Sequence, residues 1–255
     1  MPHWIHRPQP PLSNFVEMFW LWRGGEVPHT RERLLPTGTV ELVIDLRDDR
    51  ALPVVAGPHA TYFEIDAAET VNVIGIHFRP GGIYPFVPMP SSELQNRVVG
   101  LDEVWGSFAR DARDALFDAP TAEEKLQTLE RMLLARVQRP LEQHRFVSFA
   151  LREFFKSQTR SVAEVTNQIG MSSRRFADRF RDEVGLTPKV FCRVRRFQDA
   201  LQRIHLRTDV DWIDVALSCG YFDQSHFNHD FREFSGLTPT EYLAAHGEHL
   251  NHVPL

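Results

Sequence analysis

Residues 171 to 207 hold ten basic side chains, Arg174, Arg175, Arg179, Arg181, Lys189, Arg193, Arg195, Arg196, Arg203 and Arg207, against four acidic ones, Asp178, Asp182, Glu183 and Asp199. Guanidinium groups at this density suit a row of phosphates, so this stretch is a candidate polyanion surface. Phe176 and Phe180 lie four apart, and a helix that buries both turns Ser173, Arg174, Arg175, Ala177, Asp178 and Arg181 outward. Those types have base-edge chemistry: Arg pairs with guanine, Asp accepts from cytosine, and Ala meets only the thymine methyl. Fifty-one positions later Phe227 and Phe231 repeat the spacing and turn out Gln224, Ser225, His226, Asn228 and His229, a set that both donates and accepts hydrogen bonds.

Other reactive types point elsewhere. Twelve histidines raise the question of metal, above all His226 with His229 and the tail His246, His249 and His252. No cysteine accompanies them and no Glu lies between helix-paired His at the protease spacing, so no metal is expected. Cys192 and Cys219 are too few for a disulfide framework or a paired-cysteine zinc site. Trp20, Trp22, Glu41, His77 and Arg79 are the groups to consider for a small ligand in the first half, within an aromatic set of Phe15, Phe19, Tyr62, Phe63, Phe78 and Phe86 whose default role is core. His77 has no His-x-His partner, and the first half lacks the reactive thiol that an alkylation-repair protein would need. No enzyme activity and no cofactor are expected.

The elements that must display these faces are legible as a duplication. Phe176 to Phe191 and Phe227 to Tyr242 agree at seven of sixteen positions, including both Phe, one Arg and the run Gly-Leu-Thr-Pro. Ser161 with Glu164 is a capping-box start for a short helix, Gly170 a turn, and Ser172 a cap for the helix that follows. Helix, glycine turn and capped helix make a helix-turn-helix unit over about 161–185, and the same order recurs over about 210–235 with Gly220 as its turn. Thr187 and Pro188 open a connecting helix over about 189–207, long enough to set two reading helices toward successive major grooves. Residues 208–255 carry one basic side chain, Arg232, against eight acidic ones, so the second unit is expected to bind phosphate less well than the first.

From about Ser161 to Leu243 the chain resembles the AraC/XylS transcription regulators. The resemblance rests on the paired glycine turns, the run Ala216-Leu217-Ser218-Cys219-Gly220-Tyr221, both Phe-x-x-x-Phe cores and both Gly-Leu-Thr-Pro runs. It implies that the helices after Ser172 and Asp223 read adjacent grooves. Around His77-Phe78-Arg79-Pro80-Gly81-Gly82 the first 140 residues resemble a variant of the cupin-like sensor domain found in such regulators.

Texture supports that division. Alternation over Thr39–Leu46 and Val71–Phe78 predicts strands, and Leu126, Leu129, Met132, Leu133 and Val137 predict an amphipathic helix that either packs on its own domain or makes a dimer seam. The acid excess sits in residues 1–144, with 20 Asp+Glu against 14 Lys+Arg. The expected fold is α+β: a cupin-like mixed β-sheet with flanking helices in a sensor or dimerisation domain over 1–140, and an all-α domain over 145–247 with two helix-turn-helix units joined by a linker helix. The expected function is sequence-specific, effector-controlled DNA binding in the cytoplasm; the alternative is an adaptor whose first domain only dimerises. Expected partners are double-stranded DNA, RNA polymerase, a small-molecule effector and a second copy of the chain, with no membrane.

Overall fold

The computed structural model describes residues 4–24, 29–47, 53–67, 71–157, 160–205, 207, 209–247 and 249–255. The first half supplies strands β1 (Trp4–His6), β2 (Val16–Arg23), β3 (Arg31–Leu34), β4 (Glu41–Asp45), β5 (Val54–Ala56), β6 (Phe63–Asp66), β7 (Asn72–Phe78) and β8 (Val98–Gly100), then helices α1 (Leu101–Trp105), α2 (Phe108–Asp118) and α3 (Ala122–Ala135). A six-stranded sheet runs β1-β2-β7-β4-β5-β8. The α+β division holds. The sheet expected to be mixed, however, is antiparallel in each pairing among the described strands, because its neighbours are not joined by the helical crossover a parallel pair requires.

Alternation decides which sheet face closes. Phe19, Leu21, Leu42, Ile44, Ile74, Ile76 and Phe78 are buried on one face, beneath Leu116, Leu126, Leu129, Met132 and Leu133. The stripe on α3 therefore packs on its own domain rather than forming a seam; Val137 lies past the helix end and stays exposed. The other face carries Met18, Trp20, Trp22, Glu41, Val43, Asp45 and His77, all half-buried.

The second half is helical: α4 (Arg145–Lys156), α5 (Val162–Ile169), α6 (Ser173–Val184), α7 (Pro188–Ile204), α8 (Trp212–Ser218), α9 (Gln224–Ser235) and α10 (Pro239–Ala245). The first unit has its own core, Phe154, Val165, Phe176, Phe180 and Val184 with Phe191 from α7. The second gathers Val215, Phe227, Phe231, Phe234 and Tyr242 around Val194, Phe197 and Leu201, also from α7. The connecting helix thus belongs to both cores, one at each end.

Beyond the 145–247 unit, the last strand β9 (His252–Pro254) returns to the first domain and pairs with β3, completing a three-stranded sheet β6-β3-β9. Val253 is fully buried in the second unit's core together with Leu35. Beside it Glu32 is only 7% exposed and accepts from His29 Nε2 at 2.8 Å and His252 Nδ1 at 2.7 Å. Burial alone would raise the Glu32 pKa; hydrogen bonds from His252 and His29, with their charge, outweigh it and hold the carboxyl below its ordinary value.

Helices α6 and α9 each end in a left-handed glycine pressed against the first domain. Gly185 has φ 87° and a Cβ there would lie 2.4 Å from Pro58 Cγ; Gly236 has φ 71° and a Cβ would lie 2.6 Å from Tyr62 Cε1. Gly170 shares the backbone at φ 69° but has nothing within 4 Å. Gly170→Ala should lower unfolding free energy by about 1–2 kcal/mol through backbone strain alone. Gly236→Ala should lower it by about 1–3 kcal/mol more, because Tyr62 must also move. Chemical denaturation of the two variants measures the difference, and equal losses would show that the Tyr62 contact carries nothing.

Candidate nucleic-acid interface

Both reading helices are built by the same local rules. Ser161 accepts from Glu164 N at 3.2 Å while Glu164 Oε2 takes the Ser161 N–H at 2.8 Å, closing the capping box ahead of α5. Ser172 Oγ accepts from Arg175 N at 3.4 Å at the start of α6. In the second unit Asp211 caps α8 and Asp223 caps α9, the latter through His226 N at 2.7 Å. The sequence places the start of the first of these helices at Val210, but Asp211 stops it there by accepting from the backbone of Ile213 and Asp214.

Burial of Phe176, Phe180, Phe227 and Phe231, all at 0–1% exposure, fixes what each helix shows. On α6 Ser173, Arg174, Arg175, Asp178 and Arg181 are exposed and Ala177 is half-buried. On α9 Ser225, Asn228 and His229 are exposed, with Gln224 and His226 half-buried. An open groove of about 530 Å³ lies beside α9, lined by Asn228, His229, Arg232, Glu233 and Thr238. Arg232 is a groove-lining cation that the sequence reading of the α9 face leaves out. The repeat itself carries the signal, since Arg232 stands 51 positions after Arg181 and one helical turn past Asn228.

The electrostatics correct two expectations. Of the ten basic residues, Arg193 turns inward between α7 and α9, where its Nη2 donates to Asp230 Oδ1 at 2.7 Å and to Glu233 Oε2 at 2.6 Å. Arg196 stacks on Tyr221 at 5.0 Å and donates to Gly220 O; Arg195 stacks on Phe155 at 4.0 Å with Asp199 3.7 Å away. Arg179 pairs with buried Glu183 at 3.1 Å. The cationic surface is therefore narrower than the count along the chain. The acidic repulsion is smaller too: Asp230, 2% exposed, and Glu233 share Arg193, whose own pKa those two carboxylates push up, and Arg196 lies 3.9 Å from Asp230.

His229, Asp230 and Glu233 bring their ligand atoms within 4.8 Å of one another, a spacing a metal ion could use. Two of the three already hold the Arg193 guanidinium, so a cation would have to break that pair.

In the first domain, Trp20, Glu41 and His77 come together. His77 Nδ1 donates to Glu41 Oε1, Trp20 Nε1 donates to Glu41 Oε2 at 3.4 Å, and the Trp20 ring lies over Gly75, where a Cβ would be 2.6 Å away. Trp22, farther along the same face, meets the ring of His249 at 5.6 Å. Arg79 is not part of this group: its Nε donates to Ser13 O at 2.9 Å and its Nη1 lies 3.7 Å from Glu17. Burial by itself would lower the His77 pKa; the charge and hydrogen bond of Glu41, with the charge of Glu17, raise it above the ordinary imidazole value.

Two outcomes follow. Arg193→Ala takes from the buried Asp230 carboxylate its hydrogen-bonded partner, leaving Arg196 at 3.9 Å as the nearest guanidinium, and should reduce stability by up to about 3–5 kcal/mol in denaturant titration; a loss under about 1 kcal/mol would mean the pair is a surface contact in effect. His77 has a raised folded-state pKa, so its stabilising contribution is fully present below its unfolded value of about 6.5 and fades as pH rises through the folded value. The melting-temperature advantage of wild type over His77→Gln should be largest below the unfolded value of about 6.5 and shrink as pH rises through the raised folded value, whereas a pH-independent difference would contradict the charged pair.

Residues 165–245 match the family model described as a helix-turn-helix domain, and residues 5–100 match a domain of unknown function, DUF6597. The chain is 33% identical over 82 residues to the probable transcriptional regulator LumQ of Photobacterium leiognathi, a match covering 32% of this chain and 33% of LumQ. It is 35% identical over 82 residues to the HTH-type transcriptional regulator GadX of Escherichia coli O6:H1, covering 32% of this chain and 29% of GadX. The matches therefore span about a third of the length of these curated relatives. Among solved structures, a probable AraC family transcriptional regulator from Rhodopseudomonas palustris CGA009 is 27% identical over 40% of this chain and 96% of that one, with a TM-score of 0.35. Residues 165–245 thus form a helix-turn-helix domain similar in sequence to the corresponding third of known transcription regulators.

Proposed function

We propose that the protein regulates transcription by sequence-specific binding to duplex DNA, with α6 supplying most of the affinity and α9 reading the next groove. The observation that carries this is the exposed ridge of Arg174, Arg175, Asp178 and Arg181 standing on a phenylalanine core, repeated across α7 by the polar ridge of α9. At 17 residues α7 spans about 26 Å, which suits faces that recur at about 34 Å when the reading helices are offset from its ends. Arg174 and Arg175 at the start of α6 can reach guanine O6 and N7 or phosphate. Asp178 favours a cytosine N4 donor, and Gln224 or Asn228 can pair with adenine. The protein acts by binding rather than catalysis, in the cytoplasm, with RNA polymerase and a second copy of the chain as partners.

Control falls to the first domain, where an effector would contact Trp20, Trp22, Glu41 and His77. The adaptor reading is favoured by one observation: Glu41 already accepts from both His77 and Trp20, and Trp20 covers Gly75, so this face satisfies its own polar groups. A thermal-shift screen of the full chain against small molecules separates the two readings, because an effector raises the melting temperature by mass action.

For the DNA-reading ridge, Arg174→Ala should weaken binding to a selected duplex by about 1–3 kcal/mol and relax preference at one base pair. Arg181→Ala should weaken binding across sequences and reduce the salt slope by about 1. Retardation assays over a salt series measure both, and unchanged binding by the two variants would remove α6 from the interface.

A further inference from the structure

The two Gly-Leu-Thr-Pro elbows, 51 residues apart in the chain, are seated on one loop of the first domain. Pro58 abuts Gly185, helped by the Ser91 carbonyl, which would lie 3.0 Å from a Cβ there. Tyr62 abuts Gly236, and Arg33 lies over the Tyr62 ring at 4.1 Å while its Nη1 donates to Ser235 O at 3.0 Å. Pro58 and Tyr62 are four residues apart, at most about 14 Å along the backbone. The C-terminal ends of both reading helices therefore converge on a five-residue span.

That span is rigid. Asn96 ties its middle, with Oδ1 accepting from Ala60 N at 2.7 Å and its own N–H donating to Pro58 O at 3.2 Å. His59 is buried, donates from Nδ1 to Gly57 O at 2.7 Å and stacks on Phe63 at 4.2 Å. Ala60 packs on the first unit's core and Tyr62 on the second's. A third seat lies between the two: Gly38 approaches Val194 and Phe191 of α7, and Gln198 Nε2 donates to Pro36 O at 2.8 Å.

We propose that the loop 58–62, with Arg33, is the jig that fixes the offset between α6 and α9, making Pro58, Tyr62 and Arg33 positioning residues for DNA spacing. The inference rests on both helices reading DNA. Without the jig, α7 still feeds one core at each end and the β3–β9 sheet still holds the second unit, but the first unit is freer to pivot about α7. With it, the units are held at three points by a body that is neither of them. The protein then tolerates only duplexes whose two contacted segments match that offset, since each inserted base pair moves the second segment by about 3.4 Å and about 35°.

The test uses the full chain and a duplex recovered by it from a random-sequence library, footprinted to locate the two contacted segments. Wild type should lose about 10-fold or more in affinity when two base pairs are inserted between them. Tyr62→Ala should bind the parental duplex within about 3-fold of wild type yet lose no more than about 3-fold on the insertion. Tyr62→Phe, which keeps the ring against Gly236 and Arg33, should restore the wild-type penalty. If Tyr62→Ala does not fold, Arg33→Met, which keeps an apolar stem on Tyr62 while removing the bond to Ser235 O, is read in the same way. A folded variant that keeps the full wild-type penalty overturns the inference, as does a wild type indifferent to insertion. Recovery of no duplex at all overturns the DNA-reading function itself and this inference with it.

Discussion

Each reading helix has to bury two phenylalanines four residues apart, and the rest of the second domain is arranged around that requirement. Phe180 meets Phe154 and Phe191 with Phe176 packed on it, while Phe231 meets Phe197 and Tyr242 with Phe227 packed on it, ring centroids lying 5.1 to 6.0 Å apart in tilted or edge arrangements. Truncating a ring so placed costs about 3–5 kcal/mol in other cores. Because one helix face is committed inward, the opposite face is determined with no further freedom. The polar and cationic side chains on α6 and α9 are held outward by packing, not by their own preference for water.

Charge in this domain serves two different ends, and burial separates them. Arg174, Arg175 and Arg181 project from α6 into solvent, where they can meet a phosphate or a base edge. Arg193 and Arg196 point into the joint between α7 and α9, where Asp230 is almost wholly removed from water. A carboxylate in that position is tolerable only beside a guanidinium, so the pair acts as a lock on the second reading helix. The same lock removes part of the negative field that would otherwise oppose a nucleic acid at α9.

The first domain does more than sit beside the helices. Its six-stranded sheet closes one face with α1 to α3, and its smaller sheet is completed by the chain's own last strand, which carries Val253 into the core of the second unit. On the open side, Trp22 touches His249 just ahead of that strand, and His252 within it donates to buried Glu32. The tryptophan face and the second unit are thus joined by a few residues of chain.

Local chemistry alone was enough to determine the duplicated units. The capping box at Ser161, the caps at Ser172 and Asp223, the Phe spacing and the Gly-Leu-Thr-Pro runs each act within a few residues, so their signal survives in the linear sequence. The strands β4 and β7 were legible for the same reason, their alternation being a local pattern. Residues far apart in the chain carry no such signal. That Arg193 would be spent on Asp230 and Glu233, that Arg79 would turn to Ser13, that Trp20, Glu41 and His77 would meet across strands, and that residues 252–254 would join a strand at 31–34 all depend on contacts spanning from 21 to 222 positions. Those pairings are chosen by shape and burial when the chain closes, and only the folded structure decides them.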